Sequence, residues 1–176
     1  WPAGTVAEGV GQDHAALREG AAVDSGPLDV DSAKILIDVP PTQVWGVVTD
    51  VEGMGRFSPE NTGARWTSGT PATVGSRFVG ANRHGPVRWK THCTVVDVVP
   101  EQRFSFEADE PKARWTYHLE PSGSGTLVTE TREIYATPVW WVRLVQKPKV
   151  LGSNRDRLMQ DGMRQTLERM KVALER

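Results

Sequence analysis

The sequence predicts an α+β fold: a curved, seven-stranded antiparallel sheet wraps around one long C-terminal helix, with two short helices between the first two strands. Three observations predict it. Six strand-like segments between residues 65 and 135 are separated by short turns, which favours hairpins over crossover connections. A β-branched strand and a short helical pattern precede them. A long amphipathic segment follows them and can cover one face of the sheet.

Composition limits the function classes. The 176 residues suit one domain, and 22 acidic against 21 basic side chains leave a net charge of −1. This balance argues against a nucleic-acid-binding protein, which normally carries a basic excess. No apolar run approaches the roughly 18 residues of a membrane span, so none is expected. The lone Cys93 excludes an intramolecular disulfide and indicates a reducing compartment, so we expect a cytoplasmic protein.

The first elements can be taken in chain order. Residues 1–29 show no sustained apolar period, and we predict a flexible N-terminal arm followed by a single domain over residues 30–176. The β-branched run Ile35-Leu36-Ile37 predicts the first strand, which ends at Pro40-Pro41. Four valines between residues 44 and 51 recur at helical spacing, and a second small helical turn is predicted after them.

The other six strands are predicted from segments that end at turn-forming residues, namely 65–67, 76–83, 87–99, 103–108, 113–119 and 126–135. Phe104 and Phe106 share one face of their strand, and Trp115 and Tyr117 share one face of the next. Such alternation predicts one covered face and one solvent-facing face. The last strand has apolar residues on both faces, so its orientation stays open.

The C-terminal helix is predicted from apolar residues that step by three or four positions, including Met159, Met163, Met170 and Leu174. Ser153 can serve as its N-cap, and a length of about 22 residues corresponds to roughly 33 Å. One helix is much narrower than seven strands, so large side chains or a ligand must fill the remaining space.

The apolar segment over residues 138–145 lies between the last strand and this helix. It contains Trp140-Trp141, and adjacent indoles suit a boundary between apolar and wet surroundings. Two interpretations stay open: a packed bend, or a gate or lipid-facing lip.

Several short motifs follow one another in a characteristic order, among them Pro41-x-x-Val44-Trp45, Ser58-Pro59-Glu60, Val74-Gly75-x-x-Phe78-x-Gly80, Pro100-x-x-x-Phe104-x-Phe106, Trp115-x-Tyr117-x-Leu119 and Gly125-Thr126-x-Val128-Thr129-Glu130. In these motifs, residues 32–176 resemble the START-like, helix-grip superfamily (SRPBCC), and within it the polyketide cyclase/dehydrase and lipid-transport group. The resemblance implies a deep cavity for hydrophobic molecules, in a superfamily that contains both carriers and aromatase/cyclases. It also implies an acid at the cavity mouth, Glu60, and a weaker candidate, Glu130.

Metal and nucleophile chemistry are not expected. None of the four histidines has metal-site spacing with another, and only one cysteine is present, so we expect no metal and no cofactor. Cys93 is predicted to be a buried apolar residue because its neighbour His92 points to the opposite face. His92 and His118 are both expected to face solvent.

The candidate ligand-binding residues are those predicted on the covered side of the sheet and helix, together with the two acids: Glu60, Phe78, Asn82, Trp89, Thr91, Cys93, Phe104, Phe106, Trp115, Tyr117, Glu130, Met159 and Met163. The leading hypothesis is binding of a lipid-like or polyketide/aromatic molecule without catalysis. An alternative is an aromatase/cyclase-type enzyme that uses Tyr117 and Glu60 as acid/base groups. A third is a protein- or membrane-interaction module that uses Trp140-Trp141. The oligomeric state and the identity of the ligand are not predicted.

Overall fold

The computed structural model describes residues 29–110, 112–135 and 155–176. Its elements are β1 (Asp29–Ile37), α1 (Pro41–Val48), a 3-10 turn (Gly53–Arg56), β2 (Asn61–Ser68), β3 (Arg77–His84), β4 (Val87–Val99), β5 (Arg103–Ala108), β6 (Ala113–Ser122), β7 (Gly125–Ile134) and α2 (Arg155–Leu174). The strands form one antiparallel sheet in the order β1-β7-β6-β5-β4-β3-β2. The predicted α+β fold is confirmed.

Strands β4 and β5 begin and end at the predicted residues, whereas β2 and β6 are longer than predicted. The sequence placed the end of β6 at Leu119, because Pro121 and the residues after it form a turn signal. In the structure β6 continues to Ser122, which pairs with Gly125. The turn itself is only two residues long, and Gly123 takes a φ of 61°, the left-handed conformation that tight hairpins require.

Helix α1 covers one part of the concave face. Pro41 lies in its first turn, where the missing N–H costs no hydrogen bond, and Val44 and Val48 are fully buried. Its Trp45 ring meets the Phe104 ring of β5 edge-on, with centroids 6.3 Å apart. The helix ends where the Thr49 hydroxyl and backbone N–H both bond to the Trp45 carbonyl.

Helix α2 packs on the sheet mainly against β1 and carries a buried stripe of Met163, Leu167 and Met170. Its last turn is bonded to β1, because Lys171 Nζ donates to the Leu36 carbonyl at 2.7 Å. The predicted cap Ser153 and the segment 138–145 lie outside the described residues, as does the predicted arm apart from Asp29.

The convex face is less solvated than predicted at one place. Ser105 and Thr116 were expected to face solvent, but they are 3% and 7% exposed. They lie opposite each other on β5 and β6, and their hydroxyl oxygens are 2.9 Å apart in a mutual hydrogen bond. Longer side chains flank this pair in the neighbouring registers, including the Arg114–Glu107 ion pair. The two short side chains are therefore shielded from water.

Candidate functional site

A cavity of about 180 Å³ lies between the concave face of the sheet and α2. Strands β2 to β7, the ends of α1 and the 3-10 turn, and α2 all contribute to its wall. Twelve of the thirteen candidate residues line it, and these are Glu60, Phe78, Asn82, Trp89, Thr91, Cys93, Phe106, Trp115, Tyr117, Glu130, Met159 and Met163. The structure thus brings together residues that are spread over a hundred positions of sequence.

Phe104 is the exception. It lies on the concave face of β5, as its alternation with Phe106 predicted, but it is fully buried and does not line the cavity. Helix α1 covers this end of the strand through Trp45. Alternation identifies the face on which a side chain lies, but not the part of that face that a helix will cover.

The cavity wall contains a row of interlocked aromatic rings. Phe78 meets Trp66 and Phe106 edge-on, with centroid distances of 5.3 and 5.1 Å. Edge-to-face pairs of this kind add roughly 0.5–1.5 kcal/mol each beyond the area they bury. Strands β2, β3 and β5 are therefore joined by side-chain packing, and this wall presents ring edges and faces to the cavity.

The outer polar group comprises Ser58, Glu60, Asn61, Asn82 and Thr91. Ser58 Oγ accepts the Asn61 backbone N–H at 3.0 Å, and the Asn61 amide donates to Asn82 Oδ1 at 3.4 Å. Asn82 Nδ2 then donates to the Thr91 hydroxyl at 3.0 Å. These bonds orient a row of amide groups along the cavity rim.

Two further features belong to this rim. Gly80 lies beneath the row, and a Cβ there would come 3.2 Å from Asn61 Nδ2, so the missing side chain leaves room for the amide. The Glu60 side chain is 33% exposed, and its Oε1 lies 3.2 Å from His84 Nδ1. Ser58, Asn61 and His84 were not among the predicted site residues, because their roles depend on the packing of the 3-10 turn against β2 and on the pairing of β2 with β3.

The inner polar group comprises Tyr117, Glu130, Arg132 and Asp31. Tyr117 and Glu130 lie directly opposite each other on β6 and β7, and the Tyr117 hydroxyl donates to Glu130 Oε1 at 2.8 Å. Both side chains are 3% exposed. This contact also answers the open question of β7, since Glu130 faces the cavity.

Burial changes the acidity of this pair. Loss of solvation raises the pKa of Glu130 from 4.5 to about 8, although the hydrogen bond from Tyr117 lowers it in part. Burial also raises the pKa of Tyr117 well above 10, and the neighbouring Glu130 charge raises it further. At neutral pH the Glu130 carboxyl is therefore mainly protonated, and the pair is uncharged.

A buried ion pair lies beside it. Arg132 is opposite Asp31 of β1 and Trp115 of β6, and its Nη1 donates to Asp31 Oδ2 at 3.0 Å. The two charged side chains are 5% and 4% exposed. The guanidinium carbon lies 6.0 Å from the Trp115 ring centroid. Neither Arg132 nor Asp31 was a predicted site residue, because the pair exists only when β1 lies beside β7.

Cys93 lies on the cavity wall and is 5% exposed. Burial raises the pKa of its thiol to about 12, and the charge of Asp109 acts in the same direction. The thiolate, which is the nucleophilic form, is therefore hardly populated at neutral pH. Cys93 contributes a small apolar surface to the wall.

Among residues 29–110, 112–135 and 155–176, no cluster of three or more His, Cys, Asp or Glu side chains is arranged to hold a metal ion. Neither of the helices described here has the length and apolarity needed to cross a bilayer.

The curved antiparallel sheet and the long helix packed on its concave face define a protein of the helix-grip class. Residues 32–175 match the family model described as polyketide cyclase / dehydrase and lipid transport, so the chain belongs to this family. No curated protein matches the sequence.

Several solved structures share this fold. TTHA0849 from Thermus thermophilus is 20% identical, with 83% of this chain and 97% of that chain covered and a TM-score of 0.61. The polyketide-cyclase-like protein Cgl2372 from Corynebacterium glutamicum is 26% identical, with 83% and 91% covered and a TM-score of 0.60. Major latex-like protein 151 from Panax ginseng is 12% identical, with 83% and 97% covered and a TM-score of 0.61.

Proposed function

We propose that the protein binds a hydrophobic small molecule, lipid-like or aromatic, in the cavity between the sheet and α2. The observation that carries this proposal is the composition of the wall. Aromatic and aliphatic side chains form most of it, and the polar side chains fall into the inner and outer groups, apart from single residues such as Glu110 and Thr166. Small-molecule pockets have this composition, in which apolar surface supplies affinity and a few polar groups orient the ligand. The family description, which names lipid transport beside cyclases, supports the same function.

The helix side of the cavity suits ligands of varied shape. Met159 and Met163 line it from α2, and methionine side chains adapt to irregular surfaces because they are unbranched and polarizable. Gly162 lies between them, and a Cβ there would meet Pro59 at 3.6 Å. This side of the cavity can therefore repack around a ligand while the aromatic wall stays fixed.

A titration with the neutral fluorescent probe N-phenylnaphthylamine tests the proposal. Saturable binding with a blue-shifted emission is expected. Ala64→Leu inserts three carbons at the cavity wall and should weaken binding by roughly tenfold or more, where tenfold corresponds to about 1.4 kcal/mol. Ala81→Leu is the matched control, because Ala81 is exposed on the adjacent strand. No saturable binding, or equal loss in both variants with unchanged melting temperatures, would contradict the proposal.

An acid/base enzyme is the second candidate, and the Tyr117–Glu130 contact favours it. A carboxyl with a pKa of about 8 can give or take a proton near neutral pH. The earlier pairing of Tyr117 with Glu60 is not favoured, since Tyr117 bonds to Glu130 and Glu60 lies beside His84. If the protein cyclises a poly-ketone substrate, Glu130→Gln should abolish turnover while probe binding persists, and Glu60→Gln should leave turnover unchanged.

Two predictions rest on the sequence alone. The interaction hypothesis depends on Trp140-Trp141, which lie outside the described residues. Unchanged membrane or partner association in a Trp140→Ala, Trp141→Ala variant would remove it. The cytoplasmic location rests on the lone Cys93 and stays a prediction.

A further inference from the structure

Two buried polar atoms on the cavity wall lack a hydrogen-bond partner among the described residues. They are Oε2 of Glu130 and Nε of Arg132, and both residues are more than nine-tenths buried. A buried polar group left unpaired loses its hydrogen bonds to water and gains none in return. Two such atoms within one row of β7 therefore mark a place where a ligand can supply the missing partner.

One other polar atom of each side chain has a partner that holds it in place. Glu130 Oε1 accepts the Tyr117 hydroxyl at 2.8 Å, and Arg132 Nη1 donates to Asp31 at 3.0 Å. Glu130 and Arg132 are two positions apart on one strand face, which separates their Cα atoms by about 7 Å. Both side chains line the same cavity, and two hydrogen bonds of about 2.9 Å to a single oxygen reach across about 6 Å, so one ligand oxygen can lie within reach of both.

Both free atoms act as donors near neutral pH. The Nε–H of arginine can only donate. Burial keeps the Glu130 carboxyl protonated below its pKa of about 8, and its Oε1 already accepts from Tyr117, so the acidic proton is on Oε2. The Arg132 charge is balanced by Asp31, so the row has no net charge in this state.

We propose that Glu130 and Arg132 form a two-donor site that binds a carbonyl oxygen, so that the cavity selects apolar ketones or aldehydes over matched alcohols, hydrocarbons and carboxylates. This inference rests on the proposed function, since it specifies the ligand of the same cavity. An alcohol bound there would leave its own proton unpaired, and a hydrocarbon would leave both donors unpaired. A carboxylate would add a buried charge with no free counter-charge.

The surroundings make Glu130 the group that controls the pH dependence. The charged and titratable groups that face it are Tyr117 on β6, Arg132 on β7 and Asp31 on β1. The remaining carboxyl groups on the cavity wall are Glu60, which lies beside His84, and Glu110. Helix α2 contributes only uncharged side chains to the wall. The pKa of the Cys93 thiol is about 12, so Cys93 stays uncharged in the pH range of the test. Above its pKa Glu130 loses the donor and becomes an anion.

Four small probes of one shape test the proposal: acetophenone, the alcohol formed by reducing its carbonyl, ethylbenzene and benzoate. A dry apolar cavity of about 150 Å³ accepts benzene, so probes with one ring are small enough for this cavity of about 180 Å³. Their affinities are measured by displacement of N-phenylnaphthylamine at about pH 6 and about pH 10, on either side of the Glu130 pKa of about 8. At the lower pH acetophenone should bind roughly tenfold more tightly than the other three. At the higher pH this preference should fall several-fold.

Variants of β7 assign the effect to Glu130. Glu130→Gln keeps an N–H donor at every pH, so it should keep the ketone preference at both pH values. Glu130→Leu should lose the preference at both. Glu133→Gln is the matched control, since Glu133 lies on the opposite face of β7, and it should behave as the unmodified protein. If Glu130→Leu does not fold, the different pH responses of Glu130→Gln and Glu133→Gln still show whether Glu130 controls the ketone preference.

The outcomes separate this inference from the proposed function. If all four probes bind alike, if benzoate binds best, or if Glu130→Gln keeps the original pH response, the two-donor site is wrong while the cavity still binds apolar molecules. If neither N-phenylnaphthylamine nor any of the four probes binds, both proposals fail.

Discussion

Glu60 and Glu130 border the same cavity, yet their surroundings make them different chemical groups. Glu60 belongs to the outer polar group, with a third of its side chain exposed and an imidazole 3.2 Å away. Glu130 belongs to the inner polar group, 3% exposed and bonded to a tyrosine. The Glu60 side chain is partly exposed to water. The Glu130 carboxyl is mainly protonated at neutral pH because burial disfavours its charge. Burial and partners therefore decide the role of each carboxyl.

Breaking the inner ion pair should produce the largest effect. Asp31→Asn leaves Arg132 as an uncompensated buried charge, and we expect a loss of about 3–5 kcal/mol in the free energy of unfolding, measured with urea. The control is Asp50→Asn, which breaks the exposed pair with Arg56 and should cost less than about 1 kcal/mol. Equal losses in the two variants would show that the inner pair is not effectively buried.

The second-largest effect is expected in the pH dependence of stability, which should distinguish Glu130 from Glu60. Between about pH 4.5 and pH 8 the folded protein retains a proton on Glu130 that the unfolded chain has lost. The free energy of unfolding should therefore fall as pH rises through this window, by at most about 1.4 kcal/mol per pH unit, and level off above it. Glu130→Gln should remove this slope and Glu60→Gln should keep it, as measured by urea unfolding at several pH values.

Removing the tyrosine hydroxyl should have a smaller effect. Tyr117→Phe deprives Glu130 Oε1 of its donor, which should cost about 1–3 kcal/mol and raise the pKa of Glu130 further, since this hydrogen bond lowers it. The carboxyl carbon shift in NMR follows the titration directly. A downward shift of the Glu130 midpoint would contradict this account. In the outer group, Thr91→Val removes the acceptor of the Asn82 amide at a half-buried position. The loss in the free energy of unfolding should be smaller than that of Tyr117→Phe.

The smallest effect is expected at the rim. Glu60→Gln and His84→Gln break a contact between two partly exposed side chains, and such pairs contribute about 0–1 kcal/mol. Melting temperatures should shift by only a few degrees at most. A large loss in either variant would mean that the outer group also supports the fold.

Alternation and turn signals were enough to predict the fold. The bounds of β4 and β5 follow from local patterns, and hairpins join strands that are neighbours in sequence. The inner polar group could not be predicted in the same way. Its Asp31–Arg132 contact joins the first strand to the last, across 101 positions, and no local pattern encodes that pairing.

One part of the inner group did have a signal in the sequence. A two-residue turn at Gly123-Ser124 fixes the register of β6 against β7, and counting outward from it places Tyr117 opposite Glu130. The turn-forming residues from Pro121 to Gly125 predict a longer turn there, which leaves the facing of β7 open. The enzyme hypothesis therefore combined Tyr117 with Glu60, the acid that the family resemblance implies, and the structure places Glu60 beside His84.

The position of β1 in the sheet has a consequence for the order of folding. Strands β2 to β7 pair with their neighbours in sequence and can form as successive hairpins. Strand β1 pairs only with β7, so it can join the sheet only after β7 has formed. Closing the loop between β1 and β7 costs conformational entropy before any contact between the two strands offsets it. Pairings between strands so distant in sequence therefore slow folding. During synthesis Asp31 emerges early and meets Arg132 only after nearly the whole sheet exists. The ion pair beside the cavity therefore completes late, and a chain that stops before β7 cannot form it.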